Sequence, residues 1–433
     1  MKKFLVLLLV LGLAIGSLAG CSTSEPDEEG EPEDGIVEIT LTSWRTEEIE
    51  AFKILNAEFN KEYPDIRVKY DPIKNTEYNS VLSMSLNTNT AADLMYVRPF
   101  DRGVSLFESG YLVEMNEENL PNLASVPETQ RQVYKSEDGK LNSAPYMYVS
   151  YGFIYNKGIF DEHNLSEPET WDEFFTVLDK LKAEGVTPLA LGTKDGWVMD
   201  EVIANPNYVN FLDGENWRNA ILKGEKKFTD SDFVGYLESL DRWKDYMPNA
   251  YQAIGYVESQ QLFLSEQAAI YPAGSWEIGY FQDQNPDMEF GVFMSPTVNK
   301  GDKQWLAFNG GAGVGINKNS EHVEEALIYA NWLLSEKAQI LTGNLMAGLY
   351  PTVNVPLDKI EDELAREWIE ASGANGENFA VCYGLENFNR EEPSAGTLNM
   401  ESITSMFNGD MTPQEAAEHL QNGLASWYIP FQE

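Results

Sequence analysis

The feature that most constrains the fold of this chain is a repeated alternation of strand-type and helix-type patterns. Residues 36–43 (IVEITLTS) alternate apolar and polar side chains over much of their length, which predicts a strand with one face more buried. Apolar residues then keep a helical spacing from Ala51 to Tyr63, and Pro64 ends this helix before a second alternating strand starts at Ile66. Two strands joined by a helix indicate a β-α-β unit with parallel strands and a right-handed crossover.

Similar units recur toward the C-terminus. Thr170 is a candidate N-cap, because it precedes a helical pattern with Asp172 and Glu173 in its first turn. The sequence therefore predicts an α/β protein, and the length of the folded part, from residue 36 onward, favours two lobes. The further predicted strands are 92–97, 151–155, 188–191 and 268–271, and the further predicted helices are 171–181, 232–246, 259–266, 321–335 and 413–426.

The N-terminus carries the pattern of an export signal. A basic start is followed by an apolar run from Phe4 to Ile15, which is too short to span a bilayer as a stable helix. The string Leu-Ala-Gly-Cys that ends at Cys21 resembles the lipobox of bacterial lipoproteins. We therefore predict a lipoprotein signal peptide at residues 1–21, with Cys21 lipidated and the mature protein held at the extracellular face of the cell membrane. An ordinary signal peptide with a chance cysteine is the alternative.

Residues 22–35 (STSEPDEEGEPEDG) hold seven acidic residues and no large apolar one. Such a segment buries too little surface to offset the entropy of ordering it, so the sequence predicts a flexible acidic tether. The whole chain has 30 basic and 70 acidic residues, a net charge of −40. So acidic a surface repels nucleic acid and anionic lipid, and we expect no nucleic-acid partner.

Cysteine, histidine and motif content argue against metal or catalytic chemistry. If Cys21 carries lipid, Cys382 has no partner for an intramolecular disulfide. The three histidines are far apart and do not form a metal-ligand spacing, so no metal is expected. The chain has no Gly-x-Ser-x-Gly, His-Glu-x-x-His or Gly-x-x-x-x-Gly-Lys motif. The sequence thus predicts a protein that is not an enzyme and that needs no cofactor.

Several strings, in order along the chain, resemble those of family 1 extracellular solute-binding proteins, the sugar-binding components of ABC importers. They are 59–68 (FNKEYPDIRV), 155–160 (YNKGIF), 166–174 (SEPETWDEF), 263–276 (FLSEQAAIYPAGSW), 310–318 (GGAGVGINK), 350–352 (YPT), 407–409 (FNG) and 412–416 (TPQEA). Each string alone is weak, but the ordered series covers most of the chain from residue 36 onward.

This resemblance implies a periplasmic-binding-protein-like clamp of type II, with two α/β lobes and a ligand cleft between them. The chain would cross the hinge near 146–150, near Pro296 and near 348–352. Lobe 1 would comprise 36–147 and 296–347, and lobe 2 would comprise 148–295 and 348–433. Such a protein binds a carbohydrate and presents it to the permease of an ABC transporter, and we expect it to be a monomer.

The best candidate for sugar contact is Trp276. A sugar offers an apolar face of C–H groups and a rim of hydroxyls, so its site needs flat aromatic rings and planar polar groups. Trp276 follows a predicted strand through a glycine turn, and it matches a tryptophan that stacks on sugar in the family. Asp195 and Trp197 follow the strand at 188–191 and match a ligand-contacting loop. A packing tryptophan and a solvated turn aspartate are the alternatives.

A second group of candidates follows the first and third predicted strands. Asp101 and Arg102 match an Asp-Arg pair that holds sugar hydroxyls in maltodextrin-type members, Arg98 lies close by, and a surface ion pair is the alternative. Trp44 and Arg45 end the first strand and should face the same cleft. The remaining candidates, for which packing is the alternative, lie near the hinge crossings: Tyr146, Tyr148, Trp305, Asn309, Gly310 and Gly311.

The sequence leaves the ligand open in several respects. Residues 395–400 (AGTLNM) lack the stacking aromatic of maltodextrin binders, so maltodextrin itself is not expected. The number of candidate aromatics favours an oligosaccharide over a monosaccharide. The same clamp holding a polyamine, a peptide or a metal–anion complex remains an alternative, as do a glycoside-acting enzyme and a sensory or adhesive receptor.

Overall fold

The predicted β-α-β unit is confirmed. In a computed structural model of the chain, β1 (Val37–Ser43), α1 (Ile49–Asn60) and β2 (Ile66–Pro72) follow one another, and β1 pairs with β2 in parallel from Val37 opposite Ile66 to Ser43 opposite Pro72. The structure describes residues 35–432 except 137, 374, 375 and 382–384. The predicted signal peptide, the tether residues 22–34, Cys21 and Cys382 lie outside the described residues.

The other elements alternate as the sequence predicts. The strands are β3 (Leu94–Val97), β4 (Ala144–Asn156), β5 (Thr187–Leu189), β6 (Ala268–Gly274), β7 (Phe290–Phe293), β8 (Leu306–Ile316), β9 (Tyr350–Pro351) and β10 (Phe379–Val381). The helices are α2 (Asn75–Asn87), α3 (Asp101–Glu108), α4 (Glu128–Arg131), α5 (Lys157–Glu162), α6 (Trp171–Ala183), α7 (Asn205–Asn207), α8 (Gly214–Leu222), α9 (Ser231–Asp241), α10 (Tyr256–Leu264), α11 (Glu277–Gln284), α12 (Val323–Leu333), α13 (Glu336–Leu345), α14 (Glu363–Ala371), α15 (Ala395–Asn408) and α16 (Pro413–Ala425).

Strand β4 joins two sheets. Up to Ser150, opposite Phe308, it pairs antiparallel with β8, which continues the order β2-β1-β3-β8-β4. From Tyr151, opposite Gly274, it pairs with β6, and β5 lies beyond β6 in parallel. Residues in and around the first sheet are called the first lobe below, and those around β5, β6 and β7 the second lobe. The change of partner lies next to the predicted hinge crossing at 146–150, while the lobe boundaries stay a prediction.

The helices cover the sheets with apolar faces. In α1, Phe52, Leu55 and Phe59 are fully buried, and the Phe59 ring packs edge-on against Tyr329 of α12 at 4.9 Å between centroids. The predicted cap of α6 is confirmed, because the Thr170 hydroxyl accepts the backbone N–H of Glu173 at 3.2 Å. Among the described residues, none of the helices combines the length and apolar character that crossing a membrane requires.

Candidate functional site

Trp276 lies directly after β6, at the start of α11. A Cβ on Gly274 would lie 2.1 Å from the Trp276 ring, so only glycine lets the indole fold back over the end of the strand. The ring packs edge-on against Tyr151 of β4, with 5.7 Å between centroids, and the Nε1–H donates to the Tyr256 hydroxyl at 3.1 Å. The indole is half-buried. Trp276 is therefore fixed by two neighbours and still reaches the surface.

Tyr256, which the sequence analysis missed, brings three predicted site residues together. Its backbone N–H donates to the Asp195 carboxylate at 2.7 Å, so Asp195 caps the start of α10. Its ring packs edge-on against Trp197 with 4.9 Å between centroids, and Trp197 is 36% exposed. The aromatic rings of Tyr151, Trp276, Tyr256 and Trp197 thus form a continuous row, called the aromatic row below.

A buried carboxylate lies beneath this row. Glu277 is 1% exposed and accepts a hydrogen bond from the Tyr256 hydroxyl, one from Tyr271 at 3.3 Å and one from Gln260 at 2.8 Å. Burial raises the pKa of Glu277 to about 7, and these hydrogen bonds act in the opposite direction. The sequence analysis missed Glu277, although it directly follows Trp276.

In the first lobe, Trp44 and Arg98 form a stacked pair. The Trp44 ring packs edge-on against Tyr78 and Tyr96, at 5.4 and 5.3 Å between centroids. The Arg98 guanidinium lies 4.3 Å from the Trp44 centroid and donates to Asn75 Oδ1 at 2.7 Å. Because Arg98 covers it, Trp44 is only 7% exposed. In this part of the first lobe, the Arg98 guanidinium is therefore more accessible than the Trp44 indole.

Glu201 is a charged group that interacts with both lobes. It lies in the π-helix Val198–Ala204 of the second lobe and accepts from the Tyr151 hydroxyl at 3.4 Å. Desolvation by the surrounding protein raises the pKa of Glu201, whereas the charges of Arg98 and Arg102 lower it. These arginines belong to the first lobe, so charges from that lobe act on Glu201, as expected for a residue at the cleft between the lobes. Glu201 also escaped the sequence analysis.

Arg45 faces the same cleft. Its guanidinium forms ion pairs with Glu48 and, at 3.2 Å, with Glu47. Its charge also acts on the Tyr256 hydroxyl of the second lobe, where it opposes the rise in pKa that burial causes. The structure therefore brings one group of predicted residues to the cleft, together with Glu201, Tyr256 and Tyr151. That group comprises Trp276, Asp195, Trp197, Arg98, Arg102, Trp44 and Arg45.

Asp101 forms an ion pair with Arg390. At the start of α3 its Oδ1 accepts from Arg390 Nε at 3.1 Å, and the backbone N–H of Asn389 also donates to the carboxylate. The segment that holds Arg390 belongs with the second lobe, because the N–H of Gly396 donates to Asn389 and Asn399 of α15 donates to Asp200. The Asp101 carboxylate thus forms an ion pair between the lobes, and its contact with a sugar hydroxyl stays a prediction.

Breaking this ion pair should let the lobes separate more easily. The Arg390 side chain is 40% exposed, so Arg390→Ala is expected to lower the free energy of unfolding by less than about 1 kcal/mol. Its larger expected effect is an increase in the radius of gyration of the ligand-free protein, measured by small-angle X-ray scattering. Lys337→Ala, which removes ion pairs with Glu58 and Glu62 inside the first lobe, is the control. Equal radii for both variants and wild type would contradict the prediction.

Tyr146 and Tyr148 are packing residues, so their prediction as ligand contacts is corrected. Tyr146 is fully buried and its hydroxyl shares a hydrogen bond with Thr342 at 2.8 Å. Tyr148 is 3% exposed and packs against Tyr350 and Phe379, with 5.2 and 5.0 Å between centroids. Both belong to the part of β4 that is covered on its two faces, which leaves no open side for a ligand.

The predicted group at Trp305 and in β8 packs against residues outside the aromatic row. A Cβ on Gly310 would meet the Tyr134 hydroxyl at 2.7 Å, and one on Gly311 would meet Met147 at 3.3 Å. These glycines admit protein neighbours on the side where a Cβ would lie, and ligand contact through their backbone stays a prediction. The Trp305 ring lies 3.4 Å from the Lys303 ammonium, and its backbone exchanges two hydrogen bonds with the Asn210 side chain. Asn309 Oδ1 is buried with no hydrogen-bond partner among the described residues.

The fold and this cleft define a solute-binding clamp: two α/β lobes joined by shared strands, with aromatic and polar groups facing each other between them. The chain belongs to the family of bacterial extracellular solute-binding proteins, whose model matches residues 43–340. Family membership makes it an extracellular binding protein and not an enzyme, as the sequence predicted. The predicted two-lobed fold is confirmed as well.

Relatives and solved structures agree with this assignment. The chain is 26% identical to an uncharacterised ABC transporter extracellular-binding protein of Pyrococcus horikoshii, over 83% of this chain and 84% of the relative. It is 26% identical to the multiple sugar-binding protein of Streptococcus mutans, over 78% of this chain and 79% of the relative. A chitin oligosaccharide binding protein superposes with a TM-score of 0.73 at 21% identity, over 91% of this chain and 99% of the other. The solute-binding protein RafE in complex with raffinose gives a TM-score of 0.71 at 21% identity, over 92% of this chain and 100% of the other.

Proposed function

We propose that this protein captures a carbohydrate, an oligosaccharide, and delivers it to the permease of an ABC transporter. The observation that carries the proposal is the aromatic row of the second lobe, with the Glu201 carboxylate hydrogen-bonded to Tyr151 at one end and the Arg98 guanidinium stacked on Trp44 in the first lobe. Aromatic faces suit the C–H faces of sugar rings, and guanidinium and carboxylate groups suit their hydroxyls. Relatives that are named for sugar binding support this ligand class.

The length of the aromatic row supports an oligosaccharide over a monosaccharide. It runs from Tyr151, which is buried, through the half-buried Trp276 and Tyr256 to Trp197, which is 36% exposed. The ring centroids of Tyr151 and Trp276 are 5.7 Å apart, and those of Tyr256 and Trp197 are 4.9 Å apart. Between these pairs, Trp276 Nε1 lies 3.1 Å from the Tyr256 hydroxyl. A row that extends from the interior to the surface offers contacts to more than one sugar ring.

A lipid anchor and a monomeric state complete the proposal. Cys21 would carry the lipid and residues 22–35 would form the tether, so the clamp stays near its permease on the extracellular face. Mass spectrometry of protein extracted from membranes tests the anchor. A lipid mass on Cys21 supports it, whereas a free thiol at this position contradicts it.

Thermal unfolding against a ligand panel tests the ligand class. Residues 37–433 form a compact unit of their own, so a fragment that starts at residue 35 is suitable. A ligand that binds only the folded state raises the melting temperature by mass action. We expect a rise with an oligosaccharide and little with its monosaccharides. A rise only with polyamines such as spermidine would overturn the carbohydrate assignment and leave the clamp, because Glu201 can also accept from an amine.

A further inference from the structure

Glu277 is an unusual group to find beneath a cleft. It lies one residue after Trp276 on the same helix, yet its carboxylate points into the protein, where it is 1% exposed. Hydrogen bonds from Tyr256 and Gln260 of α10 and from Tyr271 of β6 converge on it. A ligand in the cleft would not touch this carboxylate. Any influence of Glu277 on binding must pass through the residues that it holds.

Tyr256 is the residue through which such an influence passes. A phenol has one proton to donate and lone pairs that accept. The Tyr256 proton goes to Glu277, which leaves the oxygen free to accept the Nε1–H of Trp276 at 3.1 Å. Both ends of the chain Trp276 to Tyr256 to Glu277 agree on its direction, because an indole N–H can only donate and an ionised carboxylate can only accept.

We propose that Glu277 is a positioning residue that fixes the orientation of Trp276 and Tyr256 in the aromatic row. Four attachments support this role. Tyr256 is held at its backbone by Asp195 at 2.7 Å and at its hydroxyl by Glu277. Trp276 is held at its nitrogen by Tyr256 and at its ring by Tyr151, 5.7 Å away. The inference rests on the proposed function, since the row is taken as the surface that contacts sugar.

The proposal makes the row sensitive to pH. Burial raises the pKa of Glu277 to about 7, so the carboxylate gains a proton as the pH falls through neutrality. A protonated Glu277 carries its own O–H, which competes with the Tyr256 proton for the same position. The titratable and hydrogen-bonding groups that face this cluster are Tyr256, Gln260 and Tyr271, together with Asp195 and Glu258 at the start of α10 and Arg45 from the first lobe.

Nuclear magnetic resonance of the indole N–H groups tests the positioning without a ligand. The chain has ten tryptophans, and Trp276→Phe assigns the signal of interest in protein labelled with ¹⁵N-tryptophan. We expect the Trp276 indole signal to shift with a midpoint near pH 7, and Glu277→Gln to abolish this titration. Tyr246→Phe, which removes a 2.7 Å bond to Asp179 elsewhere in the second lobe, should leave the titration unchanged. An indole signal that is identical in Glu277→Gln and wild type at every pH would overturn the proposal.

Affinity for an oligosaccharide from the ligand panel supplies the second readout. Glu277→Gln and Tyr256→Phe should each weaken binding about tenfold, because the first removes the charge of the acceptor and the second removes the donor of the same hydrogen bond. The double variant should bind no more weakly than the worse single variant, since both changes break one chain. Additive losses would overturn the proposal. If no sugar binds while the indole titrates as expected, the proposed function fails and the positioning role stands.

Discussion

Replacing Trp276 by alanine is expected to weaken carbohydrate binding about a hundredfold or more, which corresponds to about 3 kcal/mol. The indole offers a half-buried aromatic face that is already held in place by Tyr151 and Tyr256, so little ordering is needed when a sugar binds. Alanine removes this face and leaves the Tyr256 hydroxyl without one of its partners. Isothermal titration calorimetry with an oligosaccharide from the panel measures the loss.

Trp305→Ala is the matched control for Trp276→Ala. The sequence predicts both tryptophans as ligand contacts, but the structure places Trp305 against Lys303 and Asn210, which are outside the aromatic row. We therefore expect the affinity of Trp305→Ala for the oligosaccharide to stay within about threefold of the wild-type value, even if the substitution changes the melting temperature. If Trp276→Ala kept wild-type affinity and Trp305→Ala lost much of it, the ligand would bind near Trp305 and β8 instead of at the aromatic row.

The fold could be predicted from the sequence because each local pattern agrees with the global arrangement. The alternation at 36–43, the helix that Pro64 ends and the strand from Ile66 became β1, α1 and β2, joined in parallel register. A β-α-β unit has essentially one handedness, so few topologies remain once such units are recognised. What periodicity does not reveal is that the predicted strand at 151–155 is the second half of a longer strand, β4, whose two halves belong to two sheets.

The site was harder to predict because burial and partner choice depend on contacts between distant residues. Trp276 and Trp197 could be found from their position after strands, whereas Tyr256 begins a helix and carries no such signal. Glu201 lies four residues beyond Trp197, and a carboxylate in so acidic a chain does not stand out. Its importance emerges only when Arg98 and Arg102 of the other lobe are placed opposite it.

Tyr146, Tyr148 and Asp101 show the limits of position along a strand. Tyr146 and Tyr148 lie close to the predicted hinge crossing, as the sequence suggested, but strands on both sides of β4 bury them. Asp101 does follow the third strand and does meet an arginine, but this is Arg390, which lies 289 residues away in the chain. Such an ion pair between lobes has no local sequence signature.

Asp200→Asn is expected to stabilise the protein at alkaline pH and to have little effect in acid. Asp200 precedes Glu201 in the π-helix, and burial raises its pKa to about 7 from an ordinary value of 3.8, with the charge of Glu201 acting in the same direction. Asn399 donates to its Oδ1 at 2.7 Å, a bond that an asparagine oxygen can still accept. The substitution therefore removes a charge and keeps the acceptor.

The sign of the effect follows from proton linkage. The unfolded chain releases the Asp200 proton near pH 4, whereas the folded protein keeps it until about pH 7. Between these values the folded state binds more protons, so its stability is greatest below pH 4 and falls as the pH rises through 7. One pKa unit corresponds to about 1.4 kcal/mol, and because Asp200 is partly exposed we expect a reduced total of about 2 kcal/mol.

Urea unfolding at pH 5 and pH 8 measures this prediction. The free energy of unfolding of Asp200→Asn should be about 2 kcal/mol higher than that of wild type at pH 8. At pH 5 the difference should be less than half of that. Part of the pH dependence should remain in this variant, because the pKa of Glu277 is also raised to about 7. Adding Glu277→Gln should remove a further part of it, and Glu201, whose pKa is also raised, should account for some of the rest. An Asp200→Asn protein that is less stable than wild type at pH 8 would mean that the Asp200 carboxylate is ionised and stabilised in the folded protein.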